Sequence, residues 1–458
     1  MNSRINLLPM TIVIIVLVSL ISVLVSADED TMYSIDVEMV RRLKILPGDD
    51  KPYCVAERDR FIYVVGIGNN GDVAYVFKMD KNRGYIQRTW NIGRKGCPIE
   101  LHDCRFIGDR LYVIGIDCQD SRDTSWMFLV FDDNLTLLLN IKENHTLKED
   151  WIHAFTSDSE YIYAVGAVNG TGGYKTVMIW QWRVEKRRLW DLRLVSSYTS
   201  REIYGGRPFD IEINPITNHL WIVGTNRKPY EKMLMWSIMI LDKDLKPVKE
   251  HALLEELQGQ ALTVCFDKHG YAYIGGDEAV IKMDTDGNIV DIRRYTNTSF
   301  SKSLCIDDLI FMVGDVLKQN RTRHQIAVLM DTNLNILSIK DLHDPTNATS
   351  SYFDIGSLAF DGRYIYVAGH EEVTRFENRF GWVIYKLSLK RNEEIVTSTP
   401  KTISSIVSLN TSQFIQIGDV LPYITPLIVV IVLVVGFIVF RYKKTKNRSK
   451  VRGKHKKV

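Results

Sequence analysis

The 458-residue sequence predicts an all-β repeat fold, on three observations. A motif of the form aromatic–apolar–Val–x–Gly recurs at Phe61–Gly66, Leu111–Gly115, Tyr161–Gly166, Leu220–Gly224, Tyr271–Gly276, Leu309–Gly314 and Tyr364–Gly369. Its glycines, read at 66, 115, 166, 224, 275, 314 and 369, give a period near 50 residues. β-Branched and aromatic residues dominate each unit, bounded by Asp-Gly, Asn-Gly and Gly-Asp turns. No long 3.6-residue period competes outside the two apolar ends. Four short strands per 40–50 residues describe a propeller blade, so a seven-bladed β-propeller is expected over residues 35–392.

Within a unit, an innermost strand precedes the motif strand. A third strand follows, as in Tyr75–Asp80, Phe128–Asp132, Ile238–Asp242, Val280–Asp284 and Ala327–Asp331. A fourth closes it, as in Tyr85–Ile92, Leu135–Ile141 and Ile289–Tyr295. The last unit ends on its third strand, Trp382–Leu389, before the sequence turns polar. Residues 35–46 precede the first innermost strand as a spare outer strand. Their pairing with Trp382–Leu389 would close the ring and remove an exposed edge. That closure sends the chain out on the face of the short Asp turns. The long loops Thr225–Met235, Asp315–Gln325 and His370–Gly381 then share the opposite, upper face with the connections between blades, where partner contact is expected.

The ends place the chain. Residues 5–27 carry no charge, follow Arg4, and end in Val25-Ser26-Ala27. They read as a signal peptide over 1–27, or as an uncleaved signal anchor. Residues 393–419 form a Ser/Thr-rich stalk. The uncharged run Val420–Phe440 is 21 residues long, enough for a transmembrane helix. Residues 441–458 carry ten Lys/Arg and no acid, and read as a cytoplasmic tail. Residues 28–420 carry 47 basic and 55 acidic side chains, which excludes a generally basic nucleic-acid binder. The expected location is a single-pass cell-membrane protein with the propeller outside.

Six cysteines, an even number in an outside domain, permit disulfides. Cys97 and Cys118 flank one blade on the same face and are the expected pair. Cys54 with Cys104, and Cys265 with Cys305, occupy similar positions in successive units, as bridges or as buried thiols. Sequons at Asn134, Asn144, Asn169, Asn297, Asn320, Asn347 and Asn410 lie in the outside segment as candidate glycan acceptors.

The units resemble secreted β-propeller repeats of the SBBP and YVTN kinds, with their Asp-Gly-x-x-Tyr-Val-x-Gly and Lys-x-Asp-x-x-Gly cadence. Asp361–Gly369 and Ala279–Gly287 are the nearest copies. The resemblance implies a fold and a surface location and carries no catalytic residues.

Hydrolase and phosphate-loop signatures are missing. Asp284-Thr285-Asp286-Gly287 reads as a tight turn in preference to a calcium loop. Aligning the innermost strands stacks Glu100, Asp150, Asp210 and Asp354 at one mouth of the channel. His102 and Glu212 lie two residues on, and His153 and His370-Glu371-Glu372 are nearby in sequence. These acids are either a Ca²⁺ site or a solvated funnel. The function expected is a cell-surface binding or scaffold module for a protein, glycan or envelope component. The alternative is an envelope enzyme acting on sugars or small molecules at the channel mouth.

Overall fold

The computed structural model describes residues 33–391, apart from 44–49, 69–70, 95, 97, 121–122, 147, 173–177, 201–202, 205, 227–232, 319–322, 343–352 and 375–378. The described residues all fall within one compact unit. The expected signal peptide, stalk, transmembrane helix and tail lie outside the described residues. Among the described residues, no helix is long and apolar enough to cross a membrane.

The described residues form a β-propeller of 27 antiparallel strands. The N-terminal strand is β1 (Tyr33–Leu43). The first sheet holds β2 (Lys51–Arg58), β3 (Phe61–Gly68), β4 (Val73–Asp80) and β5 (Ile86–Gly93). The second holds β6 (Ile99–Ile107), β7 (Arg110–Asp120), β8 (Asp123–Phe131) and β9 (Leu137–Glu143). The third holds β10 (Glu149–Ser157), β11 (Tyr161–Gly172), β12 (Met178–Arg188) and β13 (Leu194–Thr199), with β14 (Ile203–Tyr204) on β12. The fourth holds β15 (Pro208–Ile213), β16 (Leu220–Asn226), β17 (Met235–Leu241) and β18 (Pro247–Gln258). A six-stranded sheet follows: β19 (Ala261–Phe266), β20 (Ala272–Met283), β21 (Ile289–Ile306), β22 (Leu309–Leu317), β23 (Arg323–Asp331) and β24 (Ile336–Asp341). The last sheet runs β25 (Phe353–Phe360), β26 (Tyr364–Thr374), β27 (Arg379–Arg391) and then β1.

By hydrogen bonding there are six blades, not the seven expected. The two repeats after Gln260 are continuous. The first half of β20 pairs with β19 and its second half with Ile289–Arg294 of β21. Thr298–Ile306 of β21 then pairs with β22. Glu278 and Asn297, both in the left-handed region (φ 57° and 58°), let the chain pass these points without a loop. Seven segments still surround the axis in succession: β2, β6, β10, β15, β19, the second half of β21, and β25, which returns to β2.

The cadence of the repeat has a physical cause. In the turn before the motif strand, Asp158, Asp267 and Asp361 each accept two backbone N–H groups. Their second oxygens accept the phenol of Tyr163, Tyr273 or Tyr366 at 2.9–3.1 Å. Burial, with the adjacent carboxylate, pushes all three phenols far above the usual tyrosine range. The lysine of the third strand lies over the ring that opens the motif: Lys78 on Phe61, Lys186 on Tyr161, Lys282 on Tyr271 and Lys386 on Tyr364, at 3.9–4.4 Å. Lys78, Lys186 and Lys282 also donate to a turn carbonyl of the following repeat, at Asp133, Lys243 and Thr332. Asp284 holds its tight turn by accepting from the N–H groups of Asp286 and Asn288. Asp132, Asp242 and Asp331 do the same in their own turns.

The motif glycine is where blade meets blade. A Cβ at Gly166 would sit 2.1 Å from the Trp151 carbonyl and 2.5 Å from the Trp126 ring of the preceding sheet. Gly224 faces Trp182, and Gly66 faces Trp382, in the same way. In the fifth repeat the equivalent residue is Gly276, not Gly275. A Cβ there would lie 1.9 Å from the Gln260 carbonyl and 2.8 Å from Trp236. Gly276→Ala is therefore expected to destabilise by about 3 kcal/mol and lower Tm by roughly 4 °C. Gly275→Ala, whose nearest neighbours are side-chain atoms at 3.0–3.2 Å, should cost far less. Paired thermal melts decide this.

The ring closes as the termini suggest. β1 pairs β27 from Tyr33 opposite Arg391 to Leu43 opposite Trp382. Trp382 Nε1 donates to the Ile67 carbonyl at 3.1 Å, and Lys81 pairs with Asp361 at 3.0 Å, joining last sheet to first. Ser388 lies opposite Tyr364, just after the Asp361 turn. Both chain ends therefore leave on the face that carries the Asp turns, called the lower face below.

Candidate functional site in the axial channel

The innermost strands share a feature that sets the channel chemistry. Each of the seven segments carries a register shift: Pro52/Cys54, Leu101/Asp103, Ile152/Ala154, Pro208/Asp210, Ala261/Thr263, Phe300/Lys302 and Ile355/Ser357. A bulge leaves backbone groups unpaired and re-aims the side chains that follow it. The freed groups are bonded by the preceding segment. Asp103 accepts from Phe155 N at 3.1 Å, Asp210 from Val264 N at 3.0 Å, and Thr263 Oγ1 from Ser303 N at 2.9 Å.

Below the bulges lies a cavity of about 450 Å³, with Asp103, Arg105, Asp210, Glu212 and Lys302 in its wall. Arg105 forms an ion pair with Glu212, which also accepts the Thr156 hydroxyl at 3.0 Å. Burial opposes the Arg105 charge, but Glu212 and Asp103 outweigh it and hold the guanidinium protonated. Burial raises the Asp103 carboxyl above its usual range, against the opposing pull of Arg105 and Lys302.

Above the bulges the walls are aromatic. His102 stacks on Trp151 and on His153, with centroids 5.8 Å apart in both cases. Tyr53 meets His102 edge-on, and Phe209 lies against His153. His102 Nε2 is 3.1 Å from Glu100 and its Nδ1 bonds the Ile152 carbonyl. Burial works against the Glu100 charge, and the bond and charge of His102 outweigh it, holding this carboxyl below its usual range. Arg207 lies over Trp151 at 5.0 Å and Trp180 at 4.6 Å.

Of the four acids aligned in the sequence, the three whose side chains are described take separate partners. Glu100 is in the upper channel beside His102. Asp150 is buried in the turn before β10, where it accepts from His145 N, Thr146 N and Thr146 Oγ1 at 2.8–2.9 Å. Asp210 bridges β15 to β19 through Thr263 and Val264. Asp354 stands opposite His370 in the β25–β26 pairing, and its side chain is outside the described residues. Counting by twos along a strand fails at a bulge, so His102 and Glu212, expected on one side, lie above and below it. Asp103, Arg105 and Lys302 were missed for the same reason, and Arg207 because it precedes β15 and so was not on the aligned strand.

Among the described residues, Glu143, His145 and Glu185 bring three metal-type donor atoms within 4.8 Å. The cation there is Arg187, which bonds both carboxylates and stacks 4.4 Å over Phe128. Burial, the largest influence, pushes the neighbouring His145 imidazole below its usual range.

Two cysteine pairs left open by the sequence are disulfides. Cys54–Cys104 joins β2 to β6, and Cys265–Cys305 joins β19 to β21. Cys118 is also disulfide-bonded, and no described cysteine is free. Its expected partner, Cys97, is outside the described residues. The sequon residues Asn134, Asn144 and Asn297 are exposed. The side chain of Asn169, and all of Asn320, Asn347 and Asn410, are outside the described residues.

No protein-family model and no curated protein matches the sequence. Among solved structures, Raptor from Chaetomium thermophilum is similar with TM-score 0.48 and 10% identity, over 74% of this chain and 28% of that one. The Pan2 WD40 domain of Neurospora crassa is similar with TM-score 0.49 and 9% identity, over 78% and 96%. The β-propeller domain of the Trilobed protease from Pyrococcus furiosus gives 0.41 and 8%, over 70% and 91%. This chain spans little more than a quarter of the Raptor chain. At such identities the likeness is one of fold alone.

Proposed function

We propose that this chain is a membrane-anchored, extracytoplasmic β-propeller of the SBBP/YVTN repeat kind that acts as a binding module. Its partner, a protein, a glycan or an envelope component, meets the upper face. The observation that carries this reading is how the channel acids are used. Asp103 and Asp210 bind the backbone of neighbouring strands, and Glu212 is held by Arg105 and Thr156. Carboxylates fixed in this way are poor general acids or bases, which weighs against the envelope-enzyme reading. The two disulfides support an oxidising compartment. The exit of both chain ends on the lower face supports a stalk there, leaving the upper face outward.

The test is topology. Intact cells making the full chain are treated with a membrane-impermeant amine reagent and, separately, an N-glycan-cleaving enzyme. Labelling of propeller lysines, with a C-terminal tag protected until the membrane is opened, is the expected result. A tag labelled on intact cells, with an unlabelled propeller, rejects the proposal.

A further inference from the structure

We infer that the axial channel, at the level of the bulges, binds a compact oxyanion, held by Arg207 and the imidazole of His153 from above and by Lys302 from below. The inference rests on the binding-module reading and names the ligand class of that site.

Two cations here form no ion pair within 4 Å among the described residues. Arg207 lies between Trp151 and Trp180, with no ion pair among the described residues. Burial lowers its affinity for its proton, and Glu149 and Glu100 offset this only from a distance. Lys302 follows a bulge of β21 in the wall of the axial cavity, where Asp103 acts on it only through space, and likewise forms no ion pair among the described residues. A guanidinium taken out of water without a partner is costly, and an anion between the two cations would remove that cost.

A second observation is independent of charge. His153 Nε2 and Trp151 Nε1 are buried and have no hydrogen-bond partner. Buried polar atoms are almost always satisfied, so a missing acceptor is implied at this level of the channel. The indole nitrogen only donates, and the imidazole donates once Nε2 carries a proton. Two donors and two cations together describe a site for carboxylate, sulfate or phosphate oxygens. The nearby carboxylates do not serve: Glu100 is bonded to His102, and Asp103 to the backbone of Phe155 and Cys104.

The site should respond to pH. His153 is held well below the usual histidine range by burial, and then by His102, Arg207 and Lys302. The other charged groups facing β10 at the axis are Glu100, Asp103 and Arg105 on β6 and Asp210 and Glu212 on β15. A bound anion favours the imidazolium, so binding takes up a proton. Affinity then rises as pH falls, down to the point where the ligand itself is protonated.

The experiment uses the full chain in detergent micelles at constant ionic strength. Thermal melts and titration calorimetry are run with sodium acetate, glucuronate and sulfate, and with glucose as the uncharged control. Expected is a rise in Tm with an oxyanion and none with glucose, and tighter binding at pH 5.5 than at 7.5. Binding should weaken at least about tenfold in Arg207→Gln and in Lys302→Gln, and persist in Lys302→Arg. Glucuronate binding more tightly than sulfate identifies an acidic sugar as the source; the reverse identifies a free inorganic anion. No shift with any oxyanion, or equal binding by folded Arg207→Gln and Lys302→Gln, overturns the inference. Failure of the topology test with anion binding intact would remove the membrane placement and leave this site standing.

Discussion

Replacing Cys54 and Cys104 together by alanine is expected to lower Tm by roughly 5 °C. The bridge closes a span of 50 residues, and Cys265–Cys305 closes one of 40. Chain-entropy arguments give each cross-link about 4 kcal/mol of stabilisation. Domains have about 5–15 kcal/mol in total, so losing both bridges removes most of it. Each bridge also ties two successive strands at the axis. Melts of the wild type with and without reductant, and of each paired Cys→Ala variant, provide the check. A reduced protein that melts with the oxidised one would place the stability in blade packing alone.

Deleting residues 33–43 is expected to abolish folded protein. The deletion uncovers the hydrogen-bonding edge of β27 along its whole length. It also strips Ile35, buried with Val383, Tyr385 and Leu387, and the partly buried Tyr33, Val37 and Val40. Burial of Ile35 alone contributes about 2–3 kcal/mol, and the open edge invites aggregation. A graded series separates packing from edge exposure. Ile35→Val should cost about 1 kcal/mol. Ile35→Asp should be nearly as severe as the deletion, since it buries an unpaired charge. Resistance to limited proteolysis reads out all three. A deletion variant as resistant as wild type would mean that the ring does not depend on its closing strand.

Much of this was legible in the sequence because it rests on period. The motif strands, the Asp turns and the pairing of residues near 35–46 with Trp382–Leu389 follow from repeated spacing. What escaped depends on single residues that leave no periodic trace. One extra residue at a bulge changes which side chains enter the channel, yet its only compositional hints are Pro52 and Pro208, just before two of the shifts. The paired glycines 275 and 276 look equivalent until the Gln260 carbonyl selects the second. The merging of two repeats into one sheet turns on two left-handed residues, Glu278 and Asn297, neither of them glycine. The lysine-over-aromatic stacking was visible as a cadence, and its meaning only in space.

The closing strand also sets a timetable for synthesis. Leu43 pairs with Trp382, roughly 340 residues later. At about 5–20 residues per second, β1 waits some 20–70 s before its partner leaves the ribosome. Through that interval the earlier blades stack while the ring stays open. Tyr33–Leu43 is therefore an unpaired strand through that interval, open to pairing with any other strand edge. Slowing translation lengthens that exposure without changing the finished molecule.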